Sequence, residues 1–414
     1  MESALIIFRW GASRMGVDVE ASRKLGYDVE LRREGKAVFY APRIASLKNF
    51  APTDLPVFFN PVSKPNRDLS ILLLAARFEG ERIRVCDPLA GTGVRSIRIA
   101  LETDAAEEIV ANDISPRACE LIRRNVELNK VESLVRVSNL DANQLLASRE
   151  LGKPGYGYVD VDPAGSPAPF IENALRACRR GGVLGATATD MPALAGAKPE
   201  SCMRKYDAKP LRTPFSKELA LRILAGFVVR SAARLGLAAK PIYSFSKDHY
   251  IKVFVEVDRG RRLANEQLRK LGWISYCPKC LKLYEARRFE PPIKVCRVCG
   301  SAMEYAGPLW LETLTDGELA SRIRSKAYES PELYRESLKL VDALAEEDHG
   351  LLGYFPVNAL AKALGRPPIK PAILVEKLRR LGYRASRTHV DPSGVKTDAP
   401  LEAIKEAFEG EAKT

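Results

Sequence analysis

The chain contains no long apolar segment. Across its 414 residues, no apolar run approaches the ~20 residues that a membrane-spanning helix requires. The N-terminal run Ala4-Leu5-Ile6-Ile7-Phe8 is too short for the core of a signal peptide, and no basic segment precedes it. We therefore expect a cytoplasmic protein without a membrane partner.

A secreted disulfide scaffold is also excluded, because eight cysteines are too sparse for one in a chain of this length. Four of them are scattered through apolar segments, and we expect them to pack as small apolar side chains. These four are Cys86, Cys119, Cys178 and Cys202. The other four are grouped between residues 277 and 299.

Internal repeats, low-complexity segments and a basic tail are absent as well. The 65 Lys and Arg residues exceed the 52 Asp and Glu residues, and the formal net charge is +13. Because the basic residues are dispersed, they predict a folded basic surface, which either confers solubility or binds a polyanion such as nucleic acid. The length predicts two or three domains.

Strands and helices alternate through the middle of the chain, which predicts an α/β fold: a Rossmann-like sheet with helices on both faces. We divide the chain into a β-rich lead-in (1–60), this α/β domain (61–260) and a C-terminal domain (261–414). The strand-like segments of the lead-in are Asp28–Leu31, Ala37–Tyr40 and Val57–Phe59, and a helix is predicted from Asp68 to Phe78, started by Asn66. The sheet strands are predicted at Ile83–Cys86, Ile109–Asn112, Leu134–Val137, Tyr158–Val161 and Val183–Thr187, with a final hairpin of Pro241–Ser246 and Tyr250–Val257.

The C-terminal domain has a different character, and we predict an α+β architecture for it. The cysteine group comes first, followed by the charged helical segment Asp316–Glu347. The helical pair Asn358–Leu364 and Pro371–Leu381 precedes an extended segment, Thr388–Thr397. That order predicts a winged-helix-like tail.

A glycine-containing loop, Asp87-Pro88-Leu89-Ala90-Gly91-Thr92-Gly93, follows the first sheet strand and begins a helix. Open α/β sheets bind nucleotide-like ligands at this place, and glycines permit a tight turn and close backbone approach. A dinucleotide loop normally has a third glycine, where this chain has Ser96. S-adenosylmethionine has no phosphate and does not need that glycine, so it is the favoured ligand and a dinucleotide is the alternative.

Two acidic residues follow the next two strands. Asp113 is placed to bind two ribose hydroxyls, and Asp141 is placed to accept the adenine amino group. Taken singly, each is more typical of a helix cap. Their order after the Asp87 loop is what favours a cofactor pocket.

The segment Asp160–Pro167 ends the fourth sheet strand and begins a Pro/Gly loop. Where an acidic residue followed by Pro ends a strand, its carboxylate and a backbone carbonyl can accept hydrogen bonds from the two N–H groups of an exocyclic amine. Asp162 and Pro163 are the residues in question, although the same pattern often forms only a turn. Asp160 lies on the same side of the strand and is either a partner of Asp162 or a buried structural residue.

The grouped cysteines form a CxxC-x15-CxxC arrangement. Cys277, Cys280, Cys296 and Cys299 can present four thiolates to one tetrahedral ion, for which Zn²⁺ is well suited. Disulfides or redox-active pairs are the alternatives. The surrounding Lys and Arg residues either contact phosphates or form a solvated surface.

With these motifs the sequence resembles the tRNA (guanine-26-N2)-dimethyltransferase family, a class I S-adenosylmethionine-dependent family of archaea and eukaryotes. The resemblance extends from about residue 35 to 400. It is carried by Val57–Pro61 with Asn66-Arg67-Asp68, Asp87–Arg98, Asn112–Ser115, Asp160–Pro167, Thr187–Asp190, Arg204–Tyr206, Lys247–Tyr250 and Arg387–Pro400.

The resemblance implies transfer of two methyl groups from S-adenosylmethionine to N2 of guanine 26, with tRNA as the partner. Because some family members lack the four cysteines, we expect the zinc ion predicted from their spacing to be structural. The resemblance also implies that Asp162 is the catalytic carboxylate, that the Pro163 carbonyl is the second acceptor and that Phe58 forms one wall of the guanine pocket. The implied cofactor contacts are Arg67, Arg95, Asp113, Asp141 and Ala142, beside the loop residues Asp87, Gly91 and Gly93.

One position departs from the family pattern. Ala164 stands where the family usually has an aromatic residue expected to stack on the target base. The candidates to replace that ring are Phe59, which we place in the base pocket, and Tyr156 and Phe170. A guanine methyltransferase acting at another tRNA position and a non-enzymatic RNA-binding scaffold remain as alternatives. A monomer is expected.

Overall fold

The computed structural model describes residues 18–44, 51–148 and 153–409, so the apolar run at residues 4–8 lies outside the described residues. The N-terminal part contains helix α1 (Val19–Leu25) and an antiparallel hairpin of β1 (Val29–Glu34) and β2 (Ala37–Pro42). The first two strand-like segments of the lead-in are therefore confirmed as a hairpin.

The third predicted strand of the lead-in is wrong. Residues 57–59 form an irregular loop between two 3₁₀ turns, Pro52–Asp54 and Pro61–Ser63. Pro56 and Pro61 flank the segment, and the Asn60 side chain accepts a hydrogen bond from the Val62 amide, which begins the second turn. Val57 and Phe59 are buried because the loop packs on the domain rather than because it joins a sheet.

The central domain alternates strands and helices as predicted. Its elements are α2 (Lys64–Arg77), β3 (Ile83–Asp87), α3 (Val94–Glu102), β4 (Ala106–Asn112), α4 (Pro116–Leu128), β5 (Val135–Ser138), α5 (Ala142–Ala147), β6 (Tyr156–Val161), α6 (Ile171–Ala177), β7 (Cys178–Ala188), α7 (Met191–Leu194), α8 (Pro199–Tyr206), α9 (Ser216–Arg234), β8 (Leu237–Lys247) and β9 (Tyr250–Arg259).

These strands form one seven-stranded sheet in the order β5-β4-β3-β6-β7-β9-β8. The first five strands of that order are parallel, whereas β9 pairs antiparallel with both β7 and β8. The final hairpin therefore joins the sheet through its second strand. Two large apolar clusters, one lined by α6 and α9 and the other by α2, α3 and α4, cover the two faces of the sheet. The α/β prediction with helices on both faces is confirmed.

Helix α2 begins earlier than predicted. It starts at Lys64, directly after the 3₁₀ turn, with Pro65 in its first turn. Asn66 is consequently inside the helix rather than at its start, and its side chain is buried. The prediction that Asn66 starts the helix was wrong, because the 3₁₀ turn Pro61–Ser63, capped by Asn60, leads directly into the helix at Lys64.

The C-terminal part contains two small sheets and, between them in sequence, a group of three helices. Its elements are α10 (Arg261–Leu268), β10 (Leu271–Tyr276), β11 (Leu283–Arg287), β12 (Glu304–Trp310), α11 (Gly317–Glu329), α12 (Pro331–Tyr334), α13 (Leu338–Glu346), β13 (Phe355–Pro356), α14 (Val357–Leu364), α15 (Pro371–Arg380), β14 (Ala385–Arg387), β15 (Gly394–Thr397) and α16 (Leu401–Glu409). Strands β11-β10-β12 and β13-β15-β14 form two separate three-stranded sheets.

These units pack closely on the central domain. Gly226 of α9 lies so close to β12 that an added Cβ would be 3.0 Å from the Leu309 Cα atom. Helices α11 and α13 contribute to the same apolar cluster as α2. Helices α14 and α15 come before β14 and β15 as predicted, but β13 of the same sheet precedes α14, and only Gly394–Thr397 of the predicted extended segment Thr388–Thr397 is a strand. No helix in the described ranges combines the length and apolar character needed to cross a membrane.

Candidate active site at the carboxyl edge of the sheet

The carboxyl ends of β3, β4, β5 and β6 bring the sequence motifs to one edge of the sheet. Gly91 (φ 56°) and Gly93 (φ 77°) adopt left-handed backbone conformations in the loop after β3. A Cβ atom on Gly91 would lie 2.7 Å from the Phe58 carbonyl oxygen, and one on Gly93 would lie 3.0 Å from the Ile122 side chain. The loop therefore needs glycine at both positions.

Asp113 organises this loop from the end of β4. Its carboxylate accepts hydrogen bonds from the Gly91 amide at 3.0 Å and from the Ser115 amide at 2.9 Å. Burial raises the pKa of Asp113, although these amides oppose the shift. Asp113 thus ties the glycine loop to the neighbouring strand end.

Asp141 is a helix cap in this structure. One of its oxygens, Oδ1, accepts hydrogen bonds from the amides of Asn143 at 2.8 Å and Gln144 at 3.1 Å. Ala142 is the first residue of α5 and is buried. Asp141 therefore lies at the third strand end, as predicted, and has a structural role there.

Asp87 is buried at the end of β3. The Ser96 hydroxyl donates a hydrogen bond to its Oδ2 atom at 3.1 Å. Burial raises the pKa of Asp87 to about 7; Arg95 opposes this shift and Asp160 adds to it. Ser96, at the position of the missing third glycine, therefore serves as a hydrogen-bond donor to a carboxyl group that can change its protonation state near neutral pH.

Arg95 joins Asp162 to the buried interior of the domain. Its Nη2 atom contacts Asp162 Oδ2, and its Nη1 atom lies 2.7 Å from Asp160 Oδ2. The Asp162 side chain is 20% exposed, whereas those of Arg95 and Asp160 are buried. One guanidinium group therefore orients a carboxylate at the edge and holds a second carboxylate beneath it.

The lower carboxylate, Asp160, belongs to a buried cluster that sequence reasoning missed. Lys252 Nζ on β9 lies 2.8 Å from both Asp160 oxygens, and the Tyr158 hydroxyl donates to Asp160 Oδ2 at 2.5 Å. Ser70 and Asn66 of α2 complete the cluster. The signal was a lysine within the apolar strand Tyr250–Val257, because a charged residue there is buried and must have a counter-charge.

Arg67 has a partner that the sequence did not reveal. Its Nε and Nη2 atoms contact the Glu34 carboxylate at 2.7 and 2.5 Å, and Nη1 donates to the Asn60 carbonyl at 3.2 Å. Burial opposes ionisation of Glu34, but Arg67 and Arg98 outweigh it and lower its pKa to about 2. The β1–β2 hairpin thus fixes the orientation of Arg67.

The loop after Asp162 is held by the segment that follows β7. The Gly165 amide donates to Thr189 Oγ1 at 2.7 Å, and the Thr189 amide donates to the Gly165 carbonyl at 2.9 Å. Ser166 donates to the Tyr206 hydroxyl at 2.8 Å, which donates to Asp190 at 2.6 Å. Motifs that are distant in sequence therefore converge on the Asp162 loop.

The four grouped cysteines form a compact cluster. Their Sγ atoms all lie within 4.8 Å of one another, including Cys277 and Cys299 at 3.5 Å and Cys280 and Cys296 at 3.4 Å. Four thiolates bound tetrahedrally to Zn²⁺ at about 2.3 Å are separated by about 3.8 Å. The four sulfurs therefore fit a zinc ion. The scattered cysteines are all buried, as predicted.

A family model described as N2,N2-dimethylguanosine tRNA methyltransferase matches residues 35–409. The chain belongs to this family. The membership predicted from the motifs is therefore confirmed, and the match covers both the strand-end site and the C-terminal part.

Individual family members match over nearly their whole length. The tRNA (guanine(26)-N(2))-dimethyltransferase of Methanopyrus kandleri is 39% identical over 382 residues, covering 91% of this chain and 96% of that protein. The tRNA (guanine(26)-N(2)/guanine(27)-N(2))-dimethyltransferase of Aquifex aeolicus is 34% identical over 385 residues, covering 92% and 96%. The structure of Trm1 from Pyrococcus horikoshii with S-adenosyl-L-methionine has a TM-score of 0.80 and 36% identity, and covers 91% of this chain and 99% of that one.

The aromatic residues that were predicted for the base pocket differ in exposure and in position. Phe58 is 42% exposed beside the glycine loop, but Phe59 is buried edge-on against Phe39 at a centroid distance of 5.4 Å. Tyr156 begins β6, at the opposite end of the strand from Asp162, and Phe170 packs against the core. Tyr156 is therefore wrong as a replacement for the family's ring, because it lies at the end of β6 that is remote from Asp162. The alternation of side chains along a strand does not show which end of the strand faces the site. Phe59 has no open face, whereas Phe170 is only partly buried and stays a candidate for the ring.

Proposed function

We propose that this protein transfers two methyl groups from S-adenosylmethionine to N2 of guanine 26 in tRNA. The observation that carries the proposal is the partly exposed Asp162 carboxylate at the sheet edge, oriented by Arg95 beside the glycine loop. Family membership supports both the reaction and its substrate class. The tRNA is the partner, and the charge of +13 favours it.

The chemistry requires help because the guanine amine is a poor nucleophile, with its lone pair delocalised into the ring. Asp162 and the Pro163 carbonyl accept the two N–H bonds and increase electron density on the nitrogen. Arg95 contacts only Oδ2 of Asp162 in this structure, which leaves Oδ1 to accept from the amine. After the first transfer a single N–H remains, and Asp162 is the acceptor placed to receive its proton.

When bound, S-adenosylmethionine supplies an electrophilic methyl group. The glycine loop suits it, because it follows the first sheet strand and leads into a helix, where glycines permit close backbone approach by a ligand. The residues that would hold it are Arg67, Asp87, Gly91, Gly93, Arg95, Asp113, Asp141 and Ala142. Both arginines are already paired with carboxylates, so they contribute oriented charge from fixed positions.

The candidate base pocket lacks the ring that the family pattern implies at position 164. Phe58, which is 42% exposed, is the proposed aromatic wall, and Ala164, which is exposed, offers no second ring. We infer that the base is held mainly by hydrogen bonds at Asp162 and Pro163 together with contact on Phe58.

The variant Asp162→Asn tests the proposed role. We expect labelled methyl transfer to a tRNA transcript to fall by at least about a thousandfold, because the amide is a weaker acceptor and carries no charge. The exposed Asp104→Asn is a matched control, and a transcript with adenine at position 26 tests the site of modification. Near-normal transfer by folded Asp162→Asn protein would refute the assignment.

Guanine 27 is the second candidate position. The Aquifex relative is named for both positions 26 and 27, and the missing ring at Ala164 makes the pocket less restrictive. Mapping the modified bases in transcripts that retain guanine at only one of the two positions distinguishes the two products.

We also propose a structural zinc ion bound by Cys277, Cys280, Cys296 and Cys299. It would fix two loops on the β10–β12 sheet. One zinc ion per chain is expected from metal analysis of purified protein; its absence would contradict the proposal. The domain boundaries, the winged-helix-like tail, a monomeric state and a cytoplasmic location stay predictions.

A further inference from the structure

The segment of residues 277–303, which we call the cysteine lobe, exposes large apolar side chains. Phe289 is 88% exposed and is the most exposed large apolar residue in the described part of the chain. Val295 and Val298 are 60% and 61% exposed. Phe289 follows the end of β11 that pairs with Gly272, whereas Val295 and Val298 adjoin the cysteine cluster, so the lobe exposes apolar side chains at two places.

The same lobe carries a high density of positive charge. It contains six basic residues and two acidic residues, Glu285 and Glu290. A zinc ion with four thiolates has a net charge of −2, so the lobe stays positive with the metal bound. The basic residues are Lys279, Lys282, Arg287, Arg288, Lys294 and Arg297.

Most of these cations lack a counter-ion. Arg287 pairs with Glu312 at 2.7 Å, but the other five form no ion pair with any residue that the structure describes. The lobe therefore presents uncompensated positive charge beside the cysteine cluster, while Arg287 and Arg288 directly precede Phe289 at the other end of β11.

The lobe holds these side chains on a well-defined backbone. Two equivalent loops each close with the same pair of hydrogen bonds: Cys277 N to Lys282 O and Leu281 N to Cys277 O, then Cys296 N to Ser301 O and Gly300 N to Cys296 O. Leu281 (φ 62°) and Gly300 (φ 67°) take the same left-handed conformation after the second cysteine of each pair. Such a surface loses little freedom when it binds.

We propose that the cysteine lobe is an RNA-contact surface, on which Phe289 stacks against an unpaired base of the tRNA while neighbouring Lys and Arg side chains contact phosphates. An exposed ring on the same lobe as a group of cations is suited to single-stranded or looped nucleic acid, because stacking and phosphate contacts act together. The inference rests on the proposed function for the identity of the RNA.

A protein partner fits this surface less well. One phenylalanine and two valines provide far less apolar area than the roughly 800 Å² that each partner buries in a stable protein interface. A second copy of the chain would bring the same positive charge to the contact. Charge complementarity therefore selects a polyanion.

Binding of an unmodified tRNA transcript to the full-length protein, measured over a range of KCl concentrations, tests the proposal. We expect Phe289→Ala to weaken binding about tenfold with little change in salt dependence, and Phe289→Trp to retain wild-type affinity. The double variant Lys279→Gln/Lys294→Gln should reduce the slope of log affinity against log salt by about 1.5. In steady-state methylation, Phe289→Ala should raise KM for tRNA and leave kcat unchanged.

Tyr328→Ala is the matched control, because Tyr328 is 50% exposed on α11, outside the lobe; its affinity should equal wild type. Zinc content and thermal melting verify that each variant is folded. Wild-type affinity in folded Phe289→Ala protein would overturn the proposal even if methylation proceeds. A changed molecular mass in light scattering with unchanged tRNA affinity would instead assign the surface to protein contacts. Failure of the proposed function is distinguishable, because wild-type protein would then not methylate the transcript.

Discussion

Two lysines are buried in the described part of the chain, and their surroundings differ. Lys252 on β9 contacts a single carboxylate, Asp160, which it shares with Arg95. Lys396 on β15 lies between two carboxylates, Glu218 at 3.1 Å and Glu347 at 2.9 Å. The first lysine lies beneath the candidate active site, and the second joins the C-terminal part to α9.

The pKa values of the two lysines shift in opposite directions. Burial lowers the pKa of Lys252 to about 8; Asp160 opposes this and Arg95 adds to it. Burial also disfavours the charged form of Lys396, but Glu218 and Glu347 outweigh it and raise its pKa. The number of counter-charges, and whether they are shared, decides the direction when burial is the same.

The two clusters also differ in how they end. The Glu347 carboxylate is enclosed, with His389 Nδ1 at 2.6 Å and the His389 amide at 2.8 Å, and the Ser246 amide donates to His389 Nε2 at 3.2 Å. The Asp160 cluster extends through Arg95 to Asp162 at the open sheet edge. Buried charge alone therefore does not distinguish the two clusters, and only the Asp160 cluster continues to a partly exposed carboxylate at a strand end.

Removing the central carboxylate of each cluster gives the largest expected difference. Asp160→Asn and Glu347→Gln should each lower the free energy of unfolding by about 3–5 kcal/mol, because each leaves a buried cation with less counter-charge. Only Asp160→Asn should also lower kcat, by about a hundredfold, because Arg95 then loses the group that positions it against Asp162. Denaturant unfolding and kcat below the melting temperature measure both. An equal loss of kcat in Glu347→Gln would remove the distinction.

The pH dependence of stability should separate the two lysines. Because the folded pKa of Lys252 is about 8 and below its unfolded value, wild type should gain up to roughly 3 kcal/mol relative to Lys252→Met as the pH rises from about 8 to 10.5. For Lys396, whose folded pKa is raised, the change in stability with pH has the opposite sign. Its stabilising charge is present below the unfolded pKa and is lost as the pH rises through the folded pKa. Urea unfolding over this range measures both differences, and parallel profiles would contradict the comparison.

Asp87 should give the open cluster a pH response in cofactor binding. Its pKa of about 7 means that the carboxyl group is neutral in mildly acid solution. S-adenosylmethionine carries a net positive charge, so we expect its affinity to fall about tenfold between pH 8 and pH 6. Asp87→Asn should bind weakly at both values. Calorimetric titration provides the measurement, and a pH-dependent Asp87→Asn would show that another group is responsible.

The smallest expected effect concerns Ala164, in the exposed loop after Asp162. Ala164→Phe would restore the ring of the family pattern and should lower KM for tRNA about fivefold, at the lower end of base stacking. Affinity for S-adenosylmethionine and the free energy of unfolding should not change, because Ala164 is exposed. An unchanged KM would indicate that Phe58 and hydrogen bonding already suffice.

The sequence determined the features that depend on local pattern. Apolar runs separated by helical periodicity indicated the α/β sheet, and the order of the Asp87 loop, Asp113 and Asp162 indicated the edge at which the site lies. The CxxC spacing indicated the cysteine cluster. These inferences succeed because strand direction, glycine turns and metal knuckles are set by neighbours within a few residues.

Only the tertiary structure decided which distant groups share a charge. It brought Lys252 of β9 against Asp160 of β6, paired Arg67 with Glu34 and buried Phe59 while leaving Phe58 exposed. These contacts arise because β9 enters the sheet beside β7 and because the first hairpin packs on α2 and α3. No local pattern encodes them, since a buried charge takes whatever partner the packing of separate elements places within reach.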